Sequence, residues 1–129
     1  PGKPNLILDC AHNPDGVRAL VKNVERIYPA KKFLMVLGML RRPDFPEIFE
    51  EIKKISDKVI LTIPDHERAP EPEVLAREAI ESRLNFKLIT NVLEAYKFAR
   101  ELVKDDDILL VTGSHFTLGE IMKFENIPT

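Results

Sequence analysis

Short apolar runs recur along the chain, and the segments between them show apolar residues at spacings of three and four. Five of these runs are continuous rather than alternating, which is typical of strands that are buried on both faces of a parallel sheet. The runs are Leu6–Leu8, Phe33–Leu37, Val59–Ile63, Phe86–Ile89 and Ile108–Val111. The pattern therefore predicts five short strands in a largely parallel sheet.

Four intervening segments each carry one apolar stripe at helical spacing, so each can cover one face of the sheet. The stripes are Val17, Leu20, Val21, Val24 and Ile27; Ile48, Phe49, Ile52 and Ile55; Val74, Leu75, Ala79 and Ile80; Val92, Ala95, Tyr96, Ala99 and Leu102. Three pairs place a capping residue three positions before a glutamate, which predicts helix starts there. The pairs are Asp44 and Glu47, Asn91 and Glu94, Thr117 and Glu120.

Regular alternation of strand and helix predicts a three-layer α/β/α, Rossmann-like fold with a mostly parallel, five-stranded sheet. The chain has 129 residues, the ordinary length of one domain, so residues 1–129 are predicted to form a single domain.

Charge and cysteine content exclude several function classes. With 19 basic and 21 acidic residues the formal charge is -2, which predicts neither a nucleic-acid nor a membrane partner. The single cysteine rules out an internal disulfide framework and agrees with a cytoplasmic location.

The chemically richest run, Asp9-Cys10-Ala11-His12-Asn13-Pro14-Asp15-Gly16, directly follows the first apolar run. Asn13 and Pro14 are typical of an N-cap and the first position of a helix. The polar side chains therefore lie at the carboxyl end of a predicted strand, where open α/β sheets bind ligands.

This run resembles the Asp-Gly-Ala-His-Asn-Pro motif that opens the C-terminal domain of folylpolyglutamate synthase and dihydrofolate synthase, in the Mur ligase superfamily. Cys10 stands at the usual glycine and is predicted to be a small, partly buried thiol. Residues 110–120, Leu-Val-Thr-Gly-Ser-His-Phe-Thr-Leu-Gly-Glu, resemble the closing Val-Thr-Gly-Ser segment with its downstream Gly-Glu. The resemblance covers essentially the whole chain and implies that the first strand lies beside the last.

The resemblance implies an ATP-dependent amide ligase that adds L-glutamate to folate or dihydropteroate through an acyl phosphate. The C-terminal domain of such a ligase forms part of the ATP and glutamate sites, and a separate P-loop ATPase domain lies N-terminal in the same polypeptide. No G-x-x-x-x-G-K-[ST] sequence occurs here, so the chain alone is expected to be inactive. Mg²⁺ is expected to arrive with ATP and to be bound mainly by that other domain, in a monomeric enzyme.

Five site residues follow from the resemblance. Nucleotide binding is expected for Asp9, His12 and Asn13, and glutamate binding for Arg68 and Ser114. No catalytic residue or metal ligand is assigned. Simpler explanations exist for four of them: a turn cap for Asp9, a loop histidine hydrogen-bonded to backbone for His12, a helix cap for Asn13 and a solvated loop position for Arg68.

One departure from the family pattern leaves the amino-acid substrate open. Relatives carry Asp-Lys-Asp where this chain has Arg42-Pro43-Asp44, so a cation is lost unless Arg41 or Arg42 replaces it. The alternatives are another Mur-type ligase that uses a different amino acid, or a freestanding nucleotide- or amino-acid-binding module without ligase activity.

Overall fold

Five strands alternate with five helices over residues 5–29, 33–104 and 107–128, the part of the chain that the computed structural model describes. In chain order the elements are β1 (Asn5–Asp9), α1 (Pro14–Ile27), β2 (Phe33–Gly38), α2 (Phe45–Ile52), β3 (Ser56–Leu61), α3 (Pro72–Glu81), β4 (Phe86–Leu88), α4 (Val92–Leu102), β5 (Ile108–Gly113) and α5 (His115–Phe124). All five predicted strands are present, although β3 begins and ends earlier than its apolar run.

The strands form one parallel sheet in the order β1-β5-β2-β3-β4. The last strand lies between the first two, as Asp9 pairs with Thr112 on one side of β5 and Gly38 pairs with Gly113 on the other. The parallel sheet and the neighbouring first and last strands are thus confirmed. Since all strands run the same way, every loop that follows a strand leaves the same edge.

Two hydrophobic cores, one on each face of the sheet, give the three predicted layers. Met35 and Leu37 of β2 pack with residues of α1, α2 and α3 on one face. Val36 packs with Tyr96 of α4 and Ile121 of α5 on the other face. Right-handed crossovers explain this division, because the chain moves one way along the sheet from β1 to β4 and then returns to β5.

The predicted apolar stripes extend too far toward the ends of their helices. Four residues expected to face the sheet are exposed, and all lie in the terminal turns of their helices: Ile27, Val74, Ile80 and Leu102. Ile80 is 65% exposed because α3 buries only a narrow stripe through Leu75 and Ala79.

Two of the predicted helix starts are confirmed by side-chain caps. The Asn13 side chain accepts a hydrogen bond from Gly16 N at 2.7 Å, and Pro14 is the first residue of α1. Asn91 accepts one from Glu94 N at 2.9 Å at the start of α4. These bonds satisfy amides that the first helical turn leaves without backbone partners.

Of the other two predicted caps, one is wrong and one is confirmed in position only. Ser114, not Thr117, caps α5, and Thr117 lies buried in the first turn of that helix. Asp44 is at the N-cap position of α2 but makes no side-chain cap, because its carboxylate pairs with Arg42 instead.

Among the described helices, none is both long and apolar enough to cross a membrane.

Candidate functional site

A cavity of about 350 Å³ opens at the carboxyl edge of the sheet, where the segments following β1, β2, β3 and β5 converge. Three arginines and two histidines line this cavity, and no acidic residue does. The lining residues are His12, Leu40, Arg41, Arg42, Arg68, Ser114, His115 and Phe116. The chain leaves β5 toward one face of the sheet and leaves β1 and β2 toward the other, so the cavity lies at a topological switch point.

The start of α5 forms one wall of the cavity. Ser114 N donates to Gly38 O at 2.8 Å, and the Thr117 hydroxyl donates to the same oxygen at 2.9 Å. The buried Ser114 hydroxyl accepts from Thr117 N at 3.3 Å and thereby caps the helix. The first turn of α5 has no acidic residue, so its free amides and dipole add positive potential to this wall.

The three arginines of the cavity differ in how far their charge is compensated. Arg42 pairs with Asp44 and donates to His12 O at 2.7 Å, so it ties two of the loops together. This pairing lowers the pKa of Asp44 from its ordinary value. Arg41 and Arg68 are exposed, and in the described part of the chain neither has a carboxylate partner. Two uncompensated guanidinium groups therefore face the cavity.

The histidines lie on the side of the cavity nearest β1. His12 Nδ1 is 3.0 Å from Cys10 O, and the rings of His12 and His115 are 6.5 Å apart. Cys10 Sγ lies 3.3 Å from Nδ1 of His115. Burial, followed by the negative charge of Asp9, raises the pKa of the half-buried Cys10 thiol. The sequence assigns no role to His115, and its contact with Cys10 is brought about by the pairing of β1 with β5.

The cavity brings together three of the five predicted site residues: His12, Arg68 and Ser114. The other two make local contacts outside its lining. Asp9 Oδ2 accepts from Ala11 N at 2.9 Å, and the Asn13 side chain caps α1. These bonds match the simpler structural explanations of Asp9 and Asn13, and the contact of His12 Nδ1 with Cys10 O matches that of His12. The nucleotide-binding roles of all three residues stay predictions.

A second cavity, of about 460 Å³, lies beyond the loop that follows β3. Its lining includes the acidic residues Asp65 and Glu120 together with His66. The ring of His66 is 4.3 Å from that of Phe116, which lines the first cavity. This pair of rings therefore marks the boundary between a cationic and an acidic cavity.

The described residues do not suit a protein-bound metal ion. Within residues 5–29, 33–104 and 107–128, no three His, Cys, Asp or Glu side chains are placed to bind one together. The cationic lining of the first cavity also suits an anion rather than a metal cation.

Comparison with known proteins gives one family match over most of the chain. The profile of the family described as Mur ligase, glutamate ligase domain, matches residues 2–115. The chain is 31% identical over 120 residues to UDP-N-acetylmuramoyl-L-alanyl-D-glutamate--2,6-diaminopimelate ligase of Buchnera aphidicola subsp. Baizongia pistaciae, covering 86% of this chain and 23% of that protein.

Two further relatives are folate enzymes. The chain is 25% identical over 124 residues to dihydrofolate synthase/folylpolyglutamate synthase of Buchnera aphidicola subsp. Schizaphis graminum, covering 95% of this chain and 29% of the relative. A crystal structure of bifunctional folylpolyglutamate synthase/dihydrofolate synthase with Mn, AMPPNP and L-glutamate bound superposes with a TM-score of 0.83 at 26% identity, covering 96% of this chain and 29% of that one. The chain thus spans between 23% and 29% of the length of these three proteins.

Proposed function

The chain belongs to the Mur ligase family of glutamate ligase domains, and on this premise we propose that it is the C-terminal, amino-acid-binding domain of an ATP-dependent folate ligase. In that role it helps to add L-glutamate to folate or dihydropteroate. The observation that carries the proposal is the cavity lined by three arginines and two histidines without a carboxylate. Such a lining favours an amino acid with more than one carboxylate.

The absence of acidic residues from the lining of the cationic cavity helps to distinguish a diaminopimelate ligase from a glutamate ligase. Diaminopimelate carries a second ammonium group, which a site would bind with a carboxylate or carbonyl oxygen. Asp65, which follows β3 in the chain, lines the second cavity rather than the cationic one. The geometry therefore supports glutamate, whose side chain ends in a carboxylate, as the incoming amino acid.

Arg41 is the residue that we assign in place of the lysine found in relatives. Arg42 is neutralised by Asp44, and Pro43 offers no charge. Arg41 is exposed, lines the cavity and is fixed through its backbone N, which donates to Arg68 O at 2.7 Å. Arg41 and Arg68 together supply two guanidinium groups, each able to bind a carboxylate through two hydrogen bonds.

The proposed reaction needs this chain mainly for binding and orientation. ATP transfers its γ-phosphoryl group to the acceptor carboxylate and leaves as ADP. The neutral glutamate amine then attacks the acyl carbon, phosphate leaves as the C–O bond breaks, and the nitrogen loses a proton to solvent as the amide forms. Arg41 and Arg68 bind the glutamate carboxylates, which leaves the amine free to face the acyl phosphate. Binding both carboxylates orients the amine and lowers the entropic cost of its approach to the acyl phosphate.

Other parts of the enzyme would come from outside this chain. We assign the P-loop ATPase domain to the N-terminal part of the same polypeptide, and Mg²⁺ enters bound to ATP. We propose that His12, which lines the cavity, contacts the phosphates and that Asp9 and Asn13 contact the nucleotide at the end of β1. A cytoplasmic, monomeric enzyme remains our prediction.

The test is an ADP-release assay on the polypeptide that carries this chain, with ATP, L-glutamate and dihydropteroate or folate. Arg68→Ala is expected to raise the KM for glutamate about tenfold or more, the loss of one charge-assisted contact. Arg77→Ala is the matched control, since Arg77 is an exposed arginine on α3 outside both cavities.

Two results would overturn the proposal. Turnover with 2,6-diaminopimelate and UDP-N-acetylmuramoyl-L-alanyl-D-glutamate, but not with glutamate and a folate acceptor, would establish the cell-wall ligase. Binding of ATP or glutamate without ADP release in the presence of any acceptor would establish the freestanding binding module.

A further inference from the structure

The tilted, adjacent rings of His66 and Phe116 connect the loop after β3 to the start of α5, with 4.3 Å between ring centroids. We infer that His66 is a positioning residue that orients Arg68 toward the glutamate carboxylate, with Phe116 packing against its imidazole. The inference rests on the proposed function, because it assigns to Arg68 the amino-acid contact described above.

The Arg68 backbone is bonded on both of its polar atoms. Its N–H donates to His66 Nδ1 at 3.0 Å, and its carbonyl accepts from Arg41 N at 2.7 Å. Ala69 N also donates to His66 O at 3.0 Å, which closes the turn. The backbone of Arg68 is therefore fixed, while its exposed side chain stays available to a ligand.

The hydrogen bond from Arg68 N determines which ring nitrogen of His66 carries the proton. Because a backbone amide can only donate, Nδ1 of His66 must carry a lone pair, so the proton of the neutral ring is on Nε2. To hold the Arg68 amide, the side chain at position 66 must offer a hydrogen-bond acceptor where Nδ1 lies. A hydrophobic residue of similar size has no such acceptor.

Phe116 supplies the second contact that fixes the ring. It is 47% exposed at the rim of the cationic cavity, and its ring lies at 46° to that of His66. An aromatic contact of this kind restricts rotation of the imidazole. His66 lines the cavity that contains Asp65 and Glu120, whereas Phe116 and Arg68 line the cationic cavity. Arg68 therefore belongs to the cavity whose lining has no carboxylate.

The experiment compares His66→Leu with His66→Asn in the polypeptide that carries this chain. Asn Oδ1 reproduces the acceptor at the Nδ1 position, whereas Leu keeps bulk and removes the acceptor. We expect His66→Leu to raise the KM for L-glutamate about tenfold without changing the KM for ATP, and His66→Asn to restore most of the loss. Phe116→Leu is expected to give a smaller rise in the same KM.

A readout apart from activity is the exchange rate of the Arg68 amide proton, followed by NMR in the 129-residue chain. It should exchange faster in His66→Leu than in the wild type, and His66→Asn should restore protection. Glu67→Ala, an exposed neighbour outside both cavities, is the control in both assays.

The outcomes separate this inference from the proposed function. If Arg68→Ala raises the KM for glutamate and His66→Leu does not, the positioning role is wrong and the glutamate site stands. Equal defects in the Leu and Asn variants would also overturn it, since the acceptor would then be irrelevant. If Arg68→Ala itself has no effect on glutamate, the proposed site is wrong.

Discussion

Gly113 lies so close to Gly38 that a side chain at position 113 has no room. A Cβ built on Gly113 would lie 1.9 Å from the carbonyl oxygen of Gly38, and the backbone of Gly113 has a φ of +141°. This close approach allows Ser114 N to donate to Gly38 O at 2.8 Å. The contact between β2 and β5 thus places the start of α5 at the wall of the cationic cavity.

Gly113→Ala is therefore expected to destabilise the fold by about 3 kcal/mol or more, from backbone strain and a clash with fixed backbone atoms. Chemical denaturation monitored by circular dichroism measures the change. Gly119→Ala is the matched control, because Gly119 lies within α5 and nothing approaches within 4 Å of its added Cβ. That control is expected to stabilise by up to ~1 kcal/mol. Equal effects at the two glycines would contradict the close approach.

Asp9 offers a test that separates its structural bond from nucleotide binding. Asp9→Asn keeps an oxygen that can accept from Ala11 N, while Asp9→Ala removes it. If the carboxylate contacts the ribose of ATP, both variants should weaken nucleotide binding by the complete polypeptide, measured by calorimetry. If Asn binds ATP like the wild type, the role of Asp9 is confined to the turn.

The buried Tyr96 gives the fold a pH dependence at high pH. Its hydroxyl donates to Glu125, which also pairs with Arg100, and burial raises the pKa of Tyr96 to about 12. The unfolded chain loses this proton near pH 10. The contribution of Tyr96 to the free energy of unfolding is therefore fully present below pH 10 and is lost as the pH rises toward 12. The expected loss is up to ~3 kcal/mol.

Denaturation curves at pH 9, 10 and 11 would measure this decline. Tyr96→Phe should flatten it, whereas Tyr28→Phe, at the other tyrosine of the chain, should preserve it. An unchanged slope in Tyr96→Phe would assign the decline to other groups.

Cys10 is expected to react slowly with alkylating agents, because burial and Asp9 raise its thiol pKa and reduce the thiolate fraction. Iodoacetamide at pH 8 should modify the folded chain several times more slowly than the chain in denaturant. Asp9→Asn should increase the rate by removing the nearby charge. A folded-state rate equal to that in denaturant would show that the thiol is not protected.

The strands and their parallel direction were predictable because their signals are local, whereas the neighbouring first and last strands were expected only from the family resemblance. Continuous apolar runs such as Phe33–Leu37 indicated parallel strands, and Asn13 with Pro14 marked the start of α1. The prediction that Thr117 caps α5 was wrong, because the capping-box pattern also fits a residue inside the first turn. The choice of Ser114 as cap depends on the bond from Thr117 to Gly38, which is set by the pairing of β2 with β5.

The family motifs singled out His12, Arg68 and Ser114, and these three residues line one cavity. Their binding roles stay predictions. The contacts of His66 with Phe116 and of Cys10 with His115 join distant parts of the chain, and no local pattern marks such pairs. Local sequence rules describe neighbours along the chain, whereas these contacts arise from strand order.

The position of β5 also has a consequence for how the chain folds during synthesis. Among the described residues β1 pairs only with β5, and β5 separates it from β2, so the first strand has no partner strand until the last one has been made. Closing so long a loop is slow, since its entropic cost precedes any favourable contact. The strand that carries Asp9 therefore stays exposed on the nascent chain until residues 108–113 emerge from the ribosome, and insertion of β5 completes both the sheet and the cationic cavity in one late step.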